Sequence, residues 1–263
     1  MKHFTIFGNP VKHSKSPAMH NAGFEFIGFE GDYSKTLLED GDTIKEVFLQ
    51  NNFQGANITV PFKEYAFKHA DDIDEFALKI GAVNTYLNEN GKVKAYNTDA
   101  PGFYMAIQEY QDIKNILLIG AGGTAKAIAV YLTRKGYNLT ILNRSEKSKE
   151  FFESLGCKFY TWDNFTPLNY ELIVNSTSAG LADDNYPAPI KLLTPLIQNT
   201  KYAIDCIYGK MTPFLKLAKK QNIIYKDGED MLLYQGVLAF ELFTKTKSTK
   251  AVIEKMRQAL KNT

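Results

Sequence analysis

Cysteine is nearly missing from this chain, with Cys157 and Cys206 the only two among 263 residues. They stand apart with no C-x-x-C pair, which supports neither a disulfide framework nor a zinc site. No metal is expected. Arginine is scarce as well, confined to Arg134, Arg144 and Arg257 against a large excess of lysine. No Lys/Arg block stands out and the net charge is +2, so nothing points to nucleic acid. No apolar run approaches the length of a membrane span. The opening MKHFTIFGNP reads as a strand entering a turn and lacks the long apolar core of a signal peptide. Internal repeats and low-complexity segments are absent. What remains is ordinary for a globular protein, at 44% apolar and 23% charged residues, with length for one large domain or two medium ones. The expectation is a soluble, cytoplasmic α/β protein.

Against that background one stretch carries specific information: ILLIGAGGTAKAIAVYLTRKGYNLTILNR, residues 116–144. An apolar run from Ile116 to Ile119 meets a turn at Gly120 and Gly122. A helical pattern follows, then a second apolar run from Leu139 to Leu142. This strand–turn–helix–strand unit is the context that a dinucleotide fingerprint requires. Gly120 allows the tight turn, Gly122 lets the backbone approach a pyrophosphate, and Ala125 keeps the helix close to the sheet. Ala125, Ile128, Ala129 and Leu132 repeat at helical spacing, so one face is buried, and Gly136 suits the helix end. The free N–H groups at the helix start would face phosphates. A site for NAD usually places a carboxylate at the end of the second strand. Here Asn143, Arg144 and Ser145 stand there. A guanidinium binds a 2′-phosphate that a carboxylate would repel, so the pattern points to NADP; a plain surface arginine is the other reading.

The rest of the chain alternates strand and helix signals. Phe4–Phe7, Tyr33–Leu37 and Ala56–Val60 read as strands, the last stopped by Pro61. Ser16-Pro17 reads as a helix start with the serine as cap, and Asp42 or Thr43 as the start of another helix. Val83–Leu87 and Lys92–Tyr96, joined through Asn90-Gly91, read as a hairpin with a type I′ turn. Asp99 is placed to cap a helix running to about Tyr110. Strands near Asn115, Asn138, Glu171, Lys201 and Ile223 then alternate with helices, the pattern of a parallel sheet. From Glu229 the chain reads as helix to the end, broken near Ser248-Thr249. Two lobes, with the cofactor in the second, imply a substrate in the cleft between them.

Several polar residues fall at first-lobe strand ends. Ser14 and Ser16 lie two apart before a helix, where they can hold a carboxylate or simply cap. His13 and His20 read as structural. In NITVPFK, Pro61 throws Lys63 into the loop beyond the strand, at the sheet edge where α/β proteins bind ligands. A surface lysine is the base-rate reading in a chain so rich in lysine. The segments GAVNT (81–85) and YNTDAPGF (96–103) change that, because Asn84 offers a donor and an acceptor and Asp99 a carboxylate. Lys63 and Asp99 would form an opposed pair able to relay a proton.

Together, GNPVKHSKSPAMHN, NITVPFK, GAVNT, NTD, GAGG, NRS, NSTSAG, DCIY and DGEDMLLYQG resemble the shikimate dehydrogenase family in order and spacing over nearly the whole chain. The resemblance implies NADP-linked, reversible reduction of 3-dehydroshikimate to shikimate in aromatic amino-acid biosynthesis. It implies a two-lobed α/β fold: an N-terminal lobe with a mixed, mostly parallel sheet, and a Rossmann-like dinucleotide-binding lobe. The substrate lobe would span residues 1–101 and be completed by the C-terminal helices, 236–263; the NADP-binding domain would span 102–235. The family pattern places the substrate carboxylate on Ser14 and Ser16, assisted by Tyr208, and the ring hydroxyls near Thr59, Lys63, Asn84, Asp99 and Gln235. Lys63 and Asp99 match its catalytic pair. Gly120, Ala121, Gly122, Gly123, Thr124 and Ala125 would cradle the pyrophosphate. Asn143, Arg144, Ser145 and Lys147 would hold the adenosine end, and Ser176, Thr177, Ser178, Ile207, Gly228 and Met231 the nicotinamide side.

The chain departs from the pattern in four places. Ala100-Pro101 replaces the glycine that often follows NTD. Ser148, flanked by Lys147 and Lys149, stands where a second basic residue often follows NR. Asp230 replaces a common glycine, and the loop Gly209-Lys210-Met211 is a residue short. Two alternatives accompany the main reading: a relative that also oxidises quinate with relaxed cofactor use, and a non-catalytic nucleotide-binding sensor. A pure binder has no need of a proton relay. The partner is a small molecule, with no nucleic acid or membrane, and the protein is a monomer or homodimer.

Overall fold

The computed structural model describes residues 1–262. They form two compact units, one of Met1–Gly102 with the segment from Leu233 onward, the other of Phe103–Leu232. The first is built on a six-stranded mixed sheet of β1 (Lys2–Gly8), β2 (Gly31–Leu37), β3 (Gly55–Ile58), β4 (Asp72–Ile73), β5 (Thr85–Glu89) and β6 (Lys92–Tyr96). The spatial order is β2-β1-β3-β5-β6-β4. β1 runs parallel to β2 and β3, while β5 is antiparallel to β3 and β6. Glu89 pairs with Lys92 around Asn90 (φ 57°) and Gly91 (φ 84°), the left-handed pair that a type I′ turn needs. Four helices accompany these strands: α1 (Ser16–Phe26), α2 (Ile44–Gln50), α3 (Lys63–His69) and α4 (Glu75–Ile80).

Local starts differ from the sequence expectation in two places, at α1 and α3. Lys15, not Ser16, is the N-cap of α1; Ser16 is its first residue, and the Ser14 hydroxyl takes the Ser16 N–H at 3.3 Å. Pro17 fixes the first turn, which leaves the capping duty to an oxygen upstream. Thr43, one of the two sequence candidates, is the N-cap of α2, and a 3₁₀ turn over Gly41–Thr43, capped by Asp40, precedes it. β3 ends at Ile58, and Lys63 is the first residue of α3 rather than part of a loop. Pro61 ends the strand, and buried Phe62 brings the chain straight into a helix.

The chain passes through α5 (Asp99–Ala106) into the second unit. There β7 (Asn115–Ile119), β8 (Asn138–Asn143), β9 (Lys158–Thr161), β10 (Leu172–Asn175), β11 (Tyr202–Asp205) and β12 (Ile224–Lys226) form an all-parallel sheet ordered β12-β11-β10-β7-β8-β9. The strand order reverses between β7 and β10, the topological switch point at which such sheets bind ligands. Strands β4 and β9 escaped the sequence reading. The first has two residues, and the second has four on the sheet margin with little periodicity. Helices α6 (Gly123–Arg134), α7 (Lys149–Ser154), α8 (Ile190–Gln198) and α9 (Pro213–Lys220) complete the unit.

Burial on both faces explains the apolar β7. Ile116 and Leu118 join a cluster with Ala125, Ile128, Ala129 and Leu132 of α6, while Leu117 and Ile119 join Leu193 and Leu196 of α8 and Phe214 and Leu217 of α9. α10 (Glu229–Thr244) then carries the chain back to the first unit, where α11 (Lys250–Lys261) packs on α1. Among the described residues, no helix is long and apolar enough to cross a membrane.

Candidate active site

Four sequence-predicted residues of the first unit meet in one hydrogen-bonded cluster. The Lys63 ammonium at the start of α3 lies 2.6 Å from Asp99 Oδ2 at the start of α5. The other oxygen, Asp99 Oδ1, accepts from the Asn84 amide at 2.9 Å. That amide also reaches Gln235 Oε1 at 3.4 Å. Asp99 is the first residue of α5 and not its cap, so its carboxylate is not spent on capping, and Asn97 Oδ1 takes its N–H. Its side chain is only 13% exposed against 29% for Lys63, so the pair is sheltered on the carboxylate side and open on the ammonium side. A charge-assisted bond of this length at a partly buried site holds both groups in one geometry.

Gln235 reaches the cluster through a close helix crossing. A Cβ on Gly102 of α5 would lie 2.6 Å from the Gln235 backbone nitrogen on α10, so only glycine permits the approach. For the same reason Gly102 and Gln235, placed with the second domain by the sequence reading, pack within the first unit. Pro101 is absorbed in the first turn of α5, where no helical donor is lost. Ser14, Ser16 and Thr59 lie in the same unit but make no bond to the Lys63–Asp99–Asn84 cluster among the described residues. Ser16 is buried and adjoins the Tyr33 phenol. Tyr208 lies in the second unit and is 40% exposed.

The second unit presents a cradle at its switch point. Gly120 has φ 110°, and a Cβ there would lie 2.8 Å from Ser176 Oγ, so the loops after β7 and β10 meet closely. Gly122 is the N-cap of α6. Side chains built at Gly122 and Gly123 would meet nothing within 4 Å, so these glycines keep space for a group outside the fold. Both are exposed, whereas Ala121 and Thr124 are half-buried and Ala125 fully buried. The N–H groups that open the 12-residue α6 thus face free space, the arrangement that suits a pyrophosphate. At the end of β8 the Asn143 amide donates to the Ser145 carbonyl at 2.8 Å and curls the chain. Arg144, Ser145 and Lys147 are exposed, and Arg144 has no ion-pair partner among the described residues. The donor set fits a phosphorylated adenosine.

The opposite wall of this cradle is held from within. Asp205, at the end of β11, is fully buried and accepts from Asn175 Nδ2, Thr212 Oγ1 and the Ile207 N–H at 3.1, 2.6 and 3.0 Å. Burial raises its pKa from the ordinary carboxylate range despite these three donors. Asn175 in turn accepts the N–H and hydroxyl of Thr177, and Ser176 Oγ donates to the Ile119 carbonyl. Ser178 stays exposed, Ile207 is buried, and the Gly228 N–H donates to the Ile207 carbonyl. Met231 packs against the α6 cluster. Asp230, which replaces a common glycine, pairs with Lys226 at 2.5 Å, and Lys226 is shared with Glu109.

Sequence reasoning missed Asn57, Thr85 and Asp205, which hydrogen-bond the predicted Asn84 or Ile207, and Tyr33, which bonds Asn57. Asn57 and Asp205 stand inside the motifs NITVPFK and DCIY, which was the available signal. Tyr33 had none, standing in a mostly polar strand in which it alone is buried.

A parallel sheet with a glycine cradle at its switch point, together with a lysine–carboxylate pair on a separate α/β unit, defines a nicotinamide-dependent dehydrogenase by class. Two family models match the chain: the shikimate dehydrogenase substrate binding domain over residues 6–86 and shikimate / quinate 5-dehydrogenase over residues 105–181. The chain is 45% identical over 258 residues to shikimate dehydrogenase (NADP(+)) of Helicobacter hepaticus, covering 97% of this chain and 96% of that protein. It is 44% identical over 250 residues to the protein of the same name in Helicobacter pylori strain J99, covering 93% of each. Among solved structures it resembles shikimate 5-dehydrogenase of Thermus thermophilus in complex with NADP(H) and shikimate, with a TM-score of 0.87 and 33% identity over 100% of this chain and 99% of that one. The chain belongs to the shikimate dehydrogenase family.

Proposed function

We propose that this protein catalyses the reversible, NADPH-linked reduction of 3-dehydroshikimate to shikimate, a step of aromatic amino-acid biosynthesis. The observation that carries the reading is the Lys63–Asp99 pair at 2.6 Å, fixed from behind by Asn84. Bound NADPH supplies a hydride to the substrate's carbonyl carbon. The chain must then deliver a proton to the carbonyl oxygen, and Lys63 Nζ does so, recovering its own proton from solvent. Asp99 stays ionised, holds Nζ in place and balances its charge. In the reverse direction Lys63 first releases a proton to solvent and then, as the neutral amine, receives the hydroxyl proton. Asn84 and Gln235 orient the ring hydroxyls; Ser14, Ser16, Thr59 and Tyr208 complete the recognition of the substrate, the serines and the tyrosine taking its carboxylate. In the second unit, the amides that open α6 hold the pyrophosphate and Arg144, aided by Lys147, the 2′-phosphate. Asn143 and Ser145 line the adenosine end, and the segments at 176–178, Ile207, Gly228 and Met231 the nicotinamide side. We place the enzyme in the cytoplasm as a monomer or homodimer.

The test is to mix the purified protein with shikimate or quinate and each oxidised cofactor and follow nicotinamide reduction. The expected result is fast turnover with shikimate and NADP⁺. Equal turnover with quinate would support the broader dehydrogenase, and no turnover in any combination would support a nucleotide-binding sensor instead.

A further inference from the structure

Behind the Lys63–Asp99 pair lies a buried chain of side chains whose hydrogen-bond directions are held at both ends, by Tyr33 at one and by the Thr98 backbone N–H at the other. Tyr33 is 3% exposed, and its hydroxyl donates to Asn57 Oδ1 at 2.7 Å. With that oxygen occupied, Asn57 Nδ2 turns to Thr85 Oγ1 at 3.1 Å and the Asn84 carbonyl at 3.3 Å. Thr85, having accepted, donates onward to Asn84 Oδ1 at 3.0 Å. The same oxygen receives the Thr98 N–H at 2.8 Å, a backbone donor that cannot reverse. Only the NH₂ group of Asn84 is left to face Asp99. Each member of the chain is at most 4% exposed, so water cannot replace a missing donor.

Tyr33 is itself fixed by His20, which stacks on it with ring centroids 4.4 Å apart and planes 2° from parallel. His20 is fully buried, and its ring lies near the Asn57 side chain without a well-formed hydrogen bond. Desolvation lowers its pKa to about 3, and the same burial raises that of Tyr33 well above its ordinary value. The stack therefore stays neutral, and the phenol remains a donor throughout the working range.

We propose that Tyr33 is a positioning residue: acting through Asn57 and Thr85, it secures the second donor on Asn84 Oδ1, beside the Thr98 N–H, and so tightens the aim of Asp99 and Lys63 at the reacting oxygen. This rests on the assignment of Lys63 and Asp99 given above. Without the Tyr33 hydroxyl, Asn57 Oδ1 loses its donor and only the long 3.3 Å bond to the Asn84 carbonyl opposes a flip of its amide. Thr85 can then point its proton at Asn57 rather than at Asn84, and the carboxylate loses a fixed donor geometry.

Tyr33→Phe and Thr85→Val each delete one buried hydroxyl and keep the volume, whereas Thr85→Ser keeps the hydroxyl. Steady-state turnover of shikimate with NADP⁺ is measured for all three beside Lys63→Ala, with thermal melting as the check on folding. The expected result is that Tyr33→Phe and Thr85→Val lower kcat by about 5- to 50-fold, below the ~10²-fold that a full ångström of misplacement costs. KM for shikimate stays within about twofold and Thr85→Ser keeps nearly full kcat, a split that a loss of stability alone would not give. Wild-type kcat in either folded variant, or an equal loss in Thr85→Ser, overturns the role of Tyr33. Wild-type kcat in Lys63→Ala would instead overturn the underlying assignment of the proton donor.

Discussion

The two units hold their functional polar groups in opposite ways. In the first, Asn84, Asn57 and Thr85 are buried with their hydrogen bonds met inside the protein. In the second, the amides at the start of α6 and the Arg144 guanidinium lie open. The chemistry explains the difference. A proton donor works only if its aim is fixed before the substrate arrives, and a low-dielectric, fully bonded surrounding supplies that fixity. A dinucleotide brings its own charges, so the protein must leave donors vacant for it. The wall facing that cradle combines both: Asp205 is buried and saturated, and it orders the segments around Asn175 and Ile207.

Breaking the closed arrangement costs most. Lys63→Ala is expected to lower kcat by about 10²–10⁴-fold, the usual range for lost acid–base catalysis, with a smaller change in KM. Steady-state kinetics with saturating NADP⁺ measure it. Near-wild-type turnover would mean that the proton takes another route.

Perturbing the open arrangement costs less and should be selective. Arg144→Ala is expected to weaken NADP⁺ binding by about 10- to 100-fold, the worth of one or two charge-assisted bonds. NAD⁺ binding should change little. Titration calorimetry with both cofactors separates the cases, and equal losses would show that Arg144 does not read the 2′-phosphate. Lys147 and Lys149 flank Ser148 as point charges, which is why a residual preference for NADP⁺ is expected even then.

The smallest effect concerns stability and emerges only in acid. His20 has a folded pKa of about 3 against 6.5 for the free side chain. Between those values the unfolded chain carries a proton that the folded one refuses, so stability falls as pH drops through that window. From pH 7 to pH 5 the loss is about 2 kcal/mol, at about 1.4 kcal/mol per pH unit below 6.5. His20→Phe keeps a ring for stacking on Tyr33 and removes the titration. Urea melts at the two pH values should show a smaller acid loss in the variant. An unchanged acid loss would place that sensitivity elsewhere.

Much of this was legible in the residues. The glycine turn, the α6 stripe and the Asn90-Gly91 hairpin are local signals, set by backbone sterics and periodicity within a few positions, and the structure places each where the sequence implies. Errors arose where a contact from afar decides a local choice. Asp99, read as a helix cap, is the first residue of α5 and gives its carboxylate to Lys63, 36 residues away. β9 is a strand because β8 offers it a free edge, not because KFYT alternates well.

The sequence by itself determined the two α/β units, the family and the residue types at each candidate position, because motifs and periodicity are properties of neighbours along the chain. Only the tertiary structure decided how those positions are used. Asn84 and Gln235 are 151 residues apart and meet because Gly102 lets α5 and α10 touch. Tyr33 reaches the Lys63–Asp99 pair through side chains drawn from three different strands and loops. Hydrogen-bond direction depends on which donor lies opposite each acceptor, and that is settled only when distant segments are packed together.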